Sequence, residues 1–390
     1  MVRLEDVTTT AMATDGRAVG RLLSGKVVFV EGALPGERVA VEVVDDRAHF
    51  SSARVVELLS ASTDRVSPPC PRRLAGCGGC PWQHVSLGAQ RRLKATMIGE
   101  SLQRVGRLPG VEVDATVALD PWAWRTTIRA GVTAGRAALH QAHSHELVPI
   151  EDCLIAHPAL VPLLEGRRYP GASQVTLRCG ARTGERLAAP VPAGVAPAMD
   201  LPDDVGTAHF HEDAAGRRWR VSAASFFQAR PDGADALAAL VTAAAQEVAA
   251  GSPGPRAVDA YSGVGLFAGA LAASGWHVTA VEGSGRAVAD ARFNLGGLAV
   301  DVVRADVSRW TPVQADIVVA DPSRAGLGRA AVSVLSATGA TRLVLVSCDV
   351  ASLGRDAGLL VEAGFALASV TPVDLFPHTR HVEVVSVFDR

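Results

Sequence analysis

A chain of 390 residues that is 48% hydrophobic and 20% charged is long enough for two or three domains with real cores, and its composition excludes global disorder. No uninterrupted apolar run approaches the roughly 18–20 residues that span a bilayer, and Met1-Val-Arg-Leu-Glu-Asp6 lacks the basic-then-apolar pattern of a secretory signal, so a cytoplasmic protein off the membrane is expected. The net charge of −2 gives no global attraction to nucleic acid, so a polyanion must be met by a local patch. Ten Lys/Arg against four Asp/Glu between Arg65 and Arg129 offer one, although Arg is the default cation of a chain whose only lysines are Lys26 and Lys94.

Five short apolar-polar stretches broken by Gly and Pro turns fill residues 1–60 and predict a β-barrel of the OB type, a fold that either binds oligonucleotides or serves as a structural appendage. Residues 61–224 form a second expected unit. It begins with a Pro- and Cys-rich stretch, continues into a helix at 88–106 with Leu93, Met97, Leu102 and Val105 on one face and suited to packing on the third unit, then turns β-rich, with a low-complexity loop at Ala188–Ala198. Residues 225–390 alternate helix and strand: Asp235–Ala250 reads as a helix, and Arg256–Ala260, His277–Glu282, Val300–Arg304, Ile317–Ala320 and Arg342–Ser347 as continuous apolar strands. The expected fold class is therefore α/β, with a C-terminal doubly wound, Rossmann-like sheet whose ligands lie at the carboxyl ends of its strands.

Ala257-Val-Asp-Ala-Tyr-Ser-Gly-Val-Gly265 places an acid and a Gly-x-Gly turn where the first of these strands meets its helix. The next glycine, Gly269, comes one residue late for the dinucleotide fingerprint, which disfavours a pyrophosphate ligand. Glu282 ends the next strand, where a carboxylate can accept from both ribose hydroxyls, and Asp306 ends the third, where it can meet an adenine amino group or simply occupy a surface turn. An adenosine ligand without a diphosphate follows, and S-adenosylmethionine fits. Asp321-Pro-Ser-Arg324 sets a carboxylate at the same edge, and Arg342–Ser347 delivers Cys348 beside it, which raises its prospects above those of an inert buried thiol. A thiolate has a use there. Carbon 5 of uracil is too weak a nucleophile to accept a methyl group from a sulfonium, but addition of a thiolate to carbon 6 makes it an enolate carbon. A base must then take the proton from carbon 5, and Glu383, in Phe376-Pro-His-Thr-Arg-His-Val-Glu383, is the candidate.

On these residues the sequence resembles the TrmA/RumA-type RNA uridine-5-methyltransferases. Ser225-Phe-Phe-Gln228 is similar to the family's Phe-Phe-Gln element, Asp259-Ala-Tyr-Ser-Gly-Val-Gly265 to its Asp-Leu-Tyr-Cys-Gly-x-Gly, and Val281-Glu282 to its ribose-binding acid. Asp321-Pro-Ser-Arg-Ala-Gly326 resembles Asp-Pro-Pro-Arg-x-Gly, Val346-Ser-Cys348 the nucleophile motif and Phe376–Glu383 the general-base motif. The resemblance implies a TRAM domain in the barrel, a 23S ribosomal RNA or tRNA partner, a monomer, catalysis by Cys348 and Glu383, and S-adenosylmethionine held by Gln228, Tyr261, Glu282, Asp306 and Asp321. Three positions depart from the family pattern. Asp349-Val350 replaces Asn-Pro after the nucleophile, so that an acid is expected to raise the thiol's pKa; Arg230 stands where Asn is usual, and Ser262 where Cys is usual.

Cys70, Cys77 and Cys80, with Cys153 far downstream, suggest a metal site, since cysteines of a cytosolic chain do not form structural disulfides. Four-thiolate zinc is the simplest reading of the residues alone, although only one Cys-x2-Cys knuckle is present. The ribosomal-RNA branch of the family is similar in this spacing, which implies a structural 4Fe–4S cluster on these four thiols. Cys179 is assigned to the core, and His140, His143 and His145 to a strand or loop near the RNA. Trp82, Trp122 and Trp124 are candidate stacking platforms for bases or packing around the cluster. The rival from another class is a non-catalytic iron–sulfur RNA-binding protein, motivated by Asp349.

Overall fold

Alternating burial closes the first five strands on themselves. In the computed structural model, which describes residues 4–142, 144, 146–150, 152–198, 201–249 and 254–390, β1 (Leu4–Met12), β2 (Ala18–Arg21), β3 (Val27–Glu31), β4 (Arg38–Asp46) and β5 (Phe50–Ser60) form a closed barrel in the order β1-β2-β3-β5-β4. Val7, Val28, Val30, Val39 and Val41 fill its interior, as a period of two requires. The β1–β2 turn leaves the barrel and docks elsewhere: the indole Nε1 of Trp82 donates to the Gly16 carbonyl (3.0 Å), and Arg380 donates to the Thr14 carbonyl (3.2 Å).

A short turn of helix, α1 (Pro71–Leu74), lies in the Cys-rich stretch, and α2 (Leu87–Arg104) follows, capped by the Ser86 hydroxyl, which accepts from the Ala89 N–H. A six-stranded sheet comes next, in the order β11-β10-β9-β6-β7-β8, built from β6 (Thr127–Thr133), β7 (Arg136–His140), β8 (Leu147–Pro149), β9 (Gln174–Cys179), β10 (Arg186–Val191) and β11 (Val205–Gly206). With α3 (Val161–Leu164) it encloses a core of Ile128, Leu160, Leu163 and Leu177, and Cys179 is buried there as expected. Ala188–Val191, expected to be loop, instead completes β10, where Ala188 pairs with Leu177 and is fully buried. The hairpin β12 (His209–Ala214) and β13 (Arg217–Ser222) packs Phe210, Trp219 and Val221 against Leu237 and Val241 of α4 (Pro231–Ala249), so its core is shared with the helices that follow.

The last sheet is seven-stranded, ordered β16-β15-β14-β17-β18-β20-β19. Its members are β14 (Arg256–Ala260), β15 (His277–Glu282), β16 (Val300–Arg304), β17 (Ile317–Ala320), β18 (Arg342–Ser347), β19 (Ala366–Val373) and β20 (Glu383–Asp389), crossed by α5 (Leu266–Ala273), α6 (Gly285–Asn294), α7 (Gly328–Ser336) and α8 (Val350–Glu362). The first five strands run parallel and β20 runs antiparallel to β18. Strand order reverses at β14 and β17, which opens a crevice at their carboxyl ends. Among the described residues no helix is long and apolar enough to cross a membrane.

Helix α2 packs on α8 with Met97 and Leu102 of the expected face in the core and Leu93 against it, but the buried face is wider than expected and leaves Val105 out. Val105 is 51% exposed, whereas Gln90, Lys94, Met97, Ile98, Ser101 and Leu102 are buried. The crossing is set by small residues: a Cβ on Gly354 would stand 2.5 Å from Ser101 Oγ, and that hydroxyl donates to the Val350 carbonyl at 2.7 Å. Backbones that approach this closely turn the polar side of α2 inward, where it finds hydrogen-bond partners.

Candidate active site

Pairing registers assemble the site. In the antiparallel β18/β20 ladder Ser347 lies opposite Val384, so one step further Cys348 lies opposite Glu383. In the parallel β17/β18 pair Ala320 is level with Leu345, which brings Asp321 to the same edge, and the Asp321 N–H donates to the Ala260 carbonyl at 3.3 Å. Gln228 Nε2 lies 3.4 Å from Asp321 Oδ2. Cys348, Glu383, Asp321 and Gln228, from four distant stretches of sequence, thus converge.

The edge is electrostatically costly. Burial pushes the Asp321 carboxyl up to about 7. Burial, and then the charge of Asp321, hold Glu383 well above the ordinary carboxylate range, against an opposing contribution from Arg324. The Cys348 thiol is pushed up to about 12 by burial first and by Glu383 and Asp321 next, again opposed by Arg324. Asp349 does not play the part expected of it. Its Oδ1 accepts the Ser352 N–H at 2.9 Å and caps α8, so this departure from the family pattern serves the helix.

Along the cofactor side of the crevice Tyr261 (φ 62°), Gly263 (φ 56°) and Gly265 (φ 103°) form the left-handed turn after β14. Glu282 accepts from the Gly263 N–H at 3.0 Å and the Ser284 N–H at 2.5 Å, which ties together the loops after β14 and β15. Asp306 is exposed; its Oδ1 caps the turn at Val307–Arg309 by accepting from the Ser308 N–H (2.9 Å) and hydroxyl (2.8 Å). Burial, with Asp306 and Asp356 nearby, raises the Tyr261 phenol to about 12. The acid of the Gly-x-Gly motif was noted in the sequence but given no role in the site. Asp259 is fully buried, one oxygen accepts the Ala268 N–H at 2.8 Å, and burial together with Asp321 and Glu282 raises it to about 8. The signal was available, as an acid in the last turn of an otherwise apolar strand. Its other oxygen, Gln228 Oε1, Ser262 Oγ, Ser347 Oγ and Glu383 Oε2 are buried without partners among the described residues. Unsatisfied polar atoms gathered at strand ends are suited to a polar ligand that completes them.

In front of the nucleophile lies a pocket lined by Thr14 and Asp15 of the barrel turn together with Cys348, Asp349, Ala351, Arg380 and His381. Burial lowers the His381 imidazole to about 4, so it is neutral near pH 7.

Comparison with known proteins agrees with this architecture. Residues 2–56 match the TRAM domain family. A structure of the Pyrococcus abyssi tRNA (uracil-54, C5)-methyltransferase in complex with S-adenosyl-L-homocysteine superposes with a TM-score of 0.76 over 98% of this chain and 99% of that one, at 21% identity, which establishes a shared fold. A Streptomyces avermitilis protein described as an uncharacterized RNA methyltransferase is 37% identical over 97% of this chain and 96% of its own. The Halomonas elongata 23S rRNA (uracil(1939)-C(5))-methyltransferase RlmD is 33% identical over 97% of this chain and 88% of its own. This chain belongs to the TrmA/RumA-type RNA uridine-5-methyltransferase family.

In this methyltransferase Cys70, Cys77, Cys80 and Cys153 line one pocket, whose walls include Leu139, Ile150 and Ile155. All four are free thiols, and among the described residues no three His, Cys, Asp or Glu side chains are placed to hold a single metal ion. His140 is exposed at the end of β7, and His143 and His145 lie outside the described residues. Trp82 and Trp124 are 2% and 6% exposed, which removes them as base-stacking platforms; Trp122 stacks on His378 with centroids 4.2 Å apart. The basic surplus is largely consumed internally. Arg65 pairs with Glu37, Arg72 with Asp152, Arg92 with Asp64, and both Arg91 and Lys94 with Asp374.

Proposed function

We propose that this methyltransferase forms 5-methyluridine in 23S ribosomal RNA or tRNA by covalent thiolate catalysis. The observation that carries the reading is the meeting of Cys348 and Glu383 across the β18/β20 ladder, beside the crevice at β14 and β17. The Cys348 thiol gives its proton to solvent, the thiolate sulfur bonds to carbon 6 of the uracil, and the electrons of the carbon 5–carbon 6 double bond pass to the enolate, which makes carbon 5 the nucleophile. S-adenosylmethionine supplies the electrophilic methyl group. Tyr261, Glu282, Asp306 and Asp321 would hold it with Gln228, whose Oε1 is one of the unpartnered atoms at the edge. Glu383, whose Oε2 is buried without a partner, then takes the proton from carbon 5; the electrons of that C–H bond close the carbon 5–carbon 6 double bond, and the thiolate leaves. Burial suits Glu383 to this step, because a carboxylate held in a poorly solvated site is a stronger base than one in water.

The four thiols lining one pocket would be the ligands of the 4Fe–4S cluster that the resemblance implies. Bound there, it would tie the Cys70–Cys80 segment to Cys153. The non-catalytic rival rested on an acid beside the thiol, and Asp349 is occupied in capping α8.

Incubation with S-adenosylmethionine and unmodified RNA transcripts tests the reading by mass spectrometry of the nucleosides. The native chain is expected to yield 5-methyluridine and Cys348→Ala none. Glu383→Gln is expected to lose turnover by roughly 10²–10⁴-fold and to leave a protein–RNA adduct that survives a denaturing gel. Methylation by Cys348→Ala would end the covalent mechanism. Sequencing RNA recovered from the Glu383→Gln adduct identifies the substrate uridine.

A further inference from the structure

The stretch from Asp374 to Val382 carries the chain from β19 into Glu383, and at His378 it adopts φ 65°, a left-handed conformation that L residues other than glycine rarely take. Three side chains outside the Cys348 cavity hold it there. Gln90, fully buried on α2, accepts the His378 N–H through Oε1 at 2.6 Å, while its Nε2 donates to the Val85 carbonyl at 2.9 Å and the Trp82 carbonyl at 3.2 Å. The Trp82 N–H in turn donates to the His378 carbonyl at 2.9 Å. One turn along α2, Lys94 donates to the Phe376 carbonyl at 3.1 Å. The Trp122 ring lies on the His378 imidazole, 28° from parallel. Both backbone polar groups of His378 are therefore engaged, and one amide side chain ties its N–H to the segment that follows Cys80.

We propose that Gln90 is a positioning residue for proton abstraction: by fixing the His378 backbone it sets the direction in which Glu383 meets carbon 5 of the Cys348-bound uracil. This deepens the proposed reaction and rests on Glu383 as its base. The physical reason is the steepness of proton transfer with distance, since a misplacement of about 1 Å costs on the order of 10²-fold in rate. Without Gln90 the His378 N–H loses its acceptor and the left-handed residue relaxes, shifting the segment that leads into β20. The bond that fails to break is then the one between carbon 5 and its proton. The methylated base stays joined to Cys348 through the bond between carbon 6 and sulfur, because that bond breaks only when the C–H electrons form the ring double bond.

Gln90→Met keeps the length of the side chain and removes both hydrogen-bonding groups. The test compares it with the native chain and with Glu383→Gln on whichever transcript, 23S ribosomal RNA or tRNA, the native chain methylates. The expected result is kcat lower by roughly 10–100-fold with KM for RNA nearly unchanged, an adduct on a denaturing gel, a primary isotope effect with 5-deuterated uridine in the transcript, and faster hydrogen exchange of the amides between 376 and 383. Unchanged kcat, or a fall in kcat that lacks either the adduct or the isotope effect, overturns the proposal. An adduct with Glu383→Gln and none with Gln90→Met refutes the role of Gln90 alone; no adduct with either removes Glu383 as the base. If Gln90→Met does not fold, Gln90→Leu, which also lacks both hydrogen-bonding groups, is read by the same measurements, with the same outcomes expected and the same ones overturning the proposal.

Discussion

Asp374 and Glu383 lie in neighbouring turns of chain and both are buried, yet their surroundings differ in kind. Asp374 receives Lys94 Nζ at 2.6 Å and Arg91 Nε at 3.2 Å, with the Lys94 and Asp374 side chains fully buried. Glu383, Asp321 and Asp259 share one sheet edge, and among the described residues none of them has an ion-pair partner within 4.0 Å. The first arrangement satisfies buried charge and holds α2 against the segment that precedes β20. The second leaves carboxylates protonated or destabilised, a state that persists only because the sheet imposes it. Of these two places, the ion-paired acid holds two segments together, and the acids without ion pairs surround the nucleophile.

The largest effect expected from breaking this contrast is at the satisfied site. Lys94→Met leaves Asp374 with Arg91 alone and is expected to cost about 3–5 kcal/mol, read as a lower urea midpoint, whereas Glu383→Gln is expected to be neutral or stabilising in the same measurement. A smaller effect concerns pH. The folded-state pKa of Asp259 is raised to about 8 and that of Asp321 to about 7, so above the unfolded value near 4 the native chain keeps protons that the unfolded chain has released. Stability therefore falls as pH rises from about 4 toward 7–8, by at most about 1.4 kcal/mol per pH unit for each such group. Asp259→Asn is expected to flatten that slope, and equal slopes for variant and native chain in urea titrations at several pH values would refute the assignment. The smallest effect is expected for Asp349→Asn, since Asn caps helices about as well as Asp. A change of about 0.5 kcal/mol or less in stability and little change in the pH dependence of Cys348 alkylation are expected.

Much of this site could be read from sequence because strand ends write themselves plainly. Apolar runs that stop at Glu282, Asp321 and Cys348 leave those residues at the carboxyl edge of a parallel sheet, and the structure puts them there. What could not be read was whatever depends on register or on helix azimuth. The pairing of Ser347 with Val384 aligns Cys348 with Glu383, and no local pattern specifies it. The apolar periodicity of α2 found Met97 and Leu102 in the core, but it could not show that Gln90 and Lys94 are buried as well, because their partners at Val85, Asp374, Phe376 and His378 lie elsewhere in the chain. Asp349 was weighed for its charge alone, and its second role as the cap of α8 went unread. Arginine counts between 65 and 129 suggested a phosphate patch because pairing with distant acids such as Glu37 and Asp374 is invisible in one dimension.

The turn between β1 and β2 has a consequence for how the molecule is divided. Thr14 and Asp15 help to enclose the chamber at Cys348, held by Trp82 and Arg380 from far along the chain. Excising the N-terminal module would thus leave the Rossmann-like sheet with its nucleophile facing an open side, and grafting a relative's module in its place would rebuild that side with different walls.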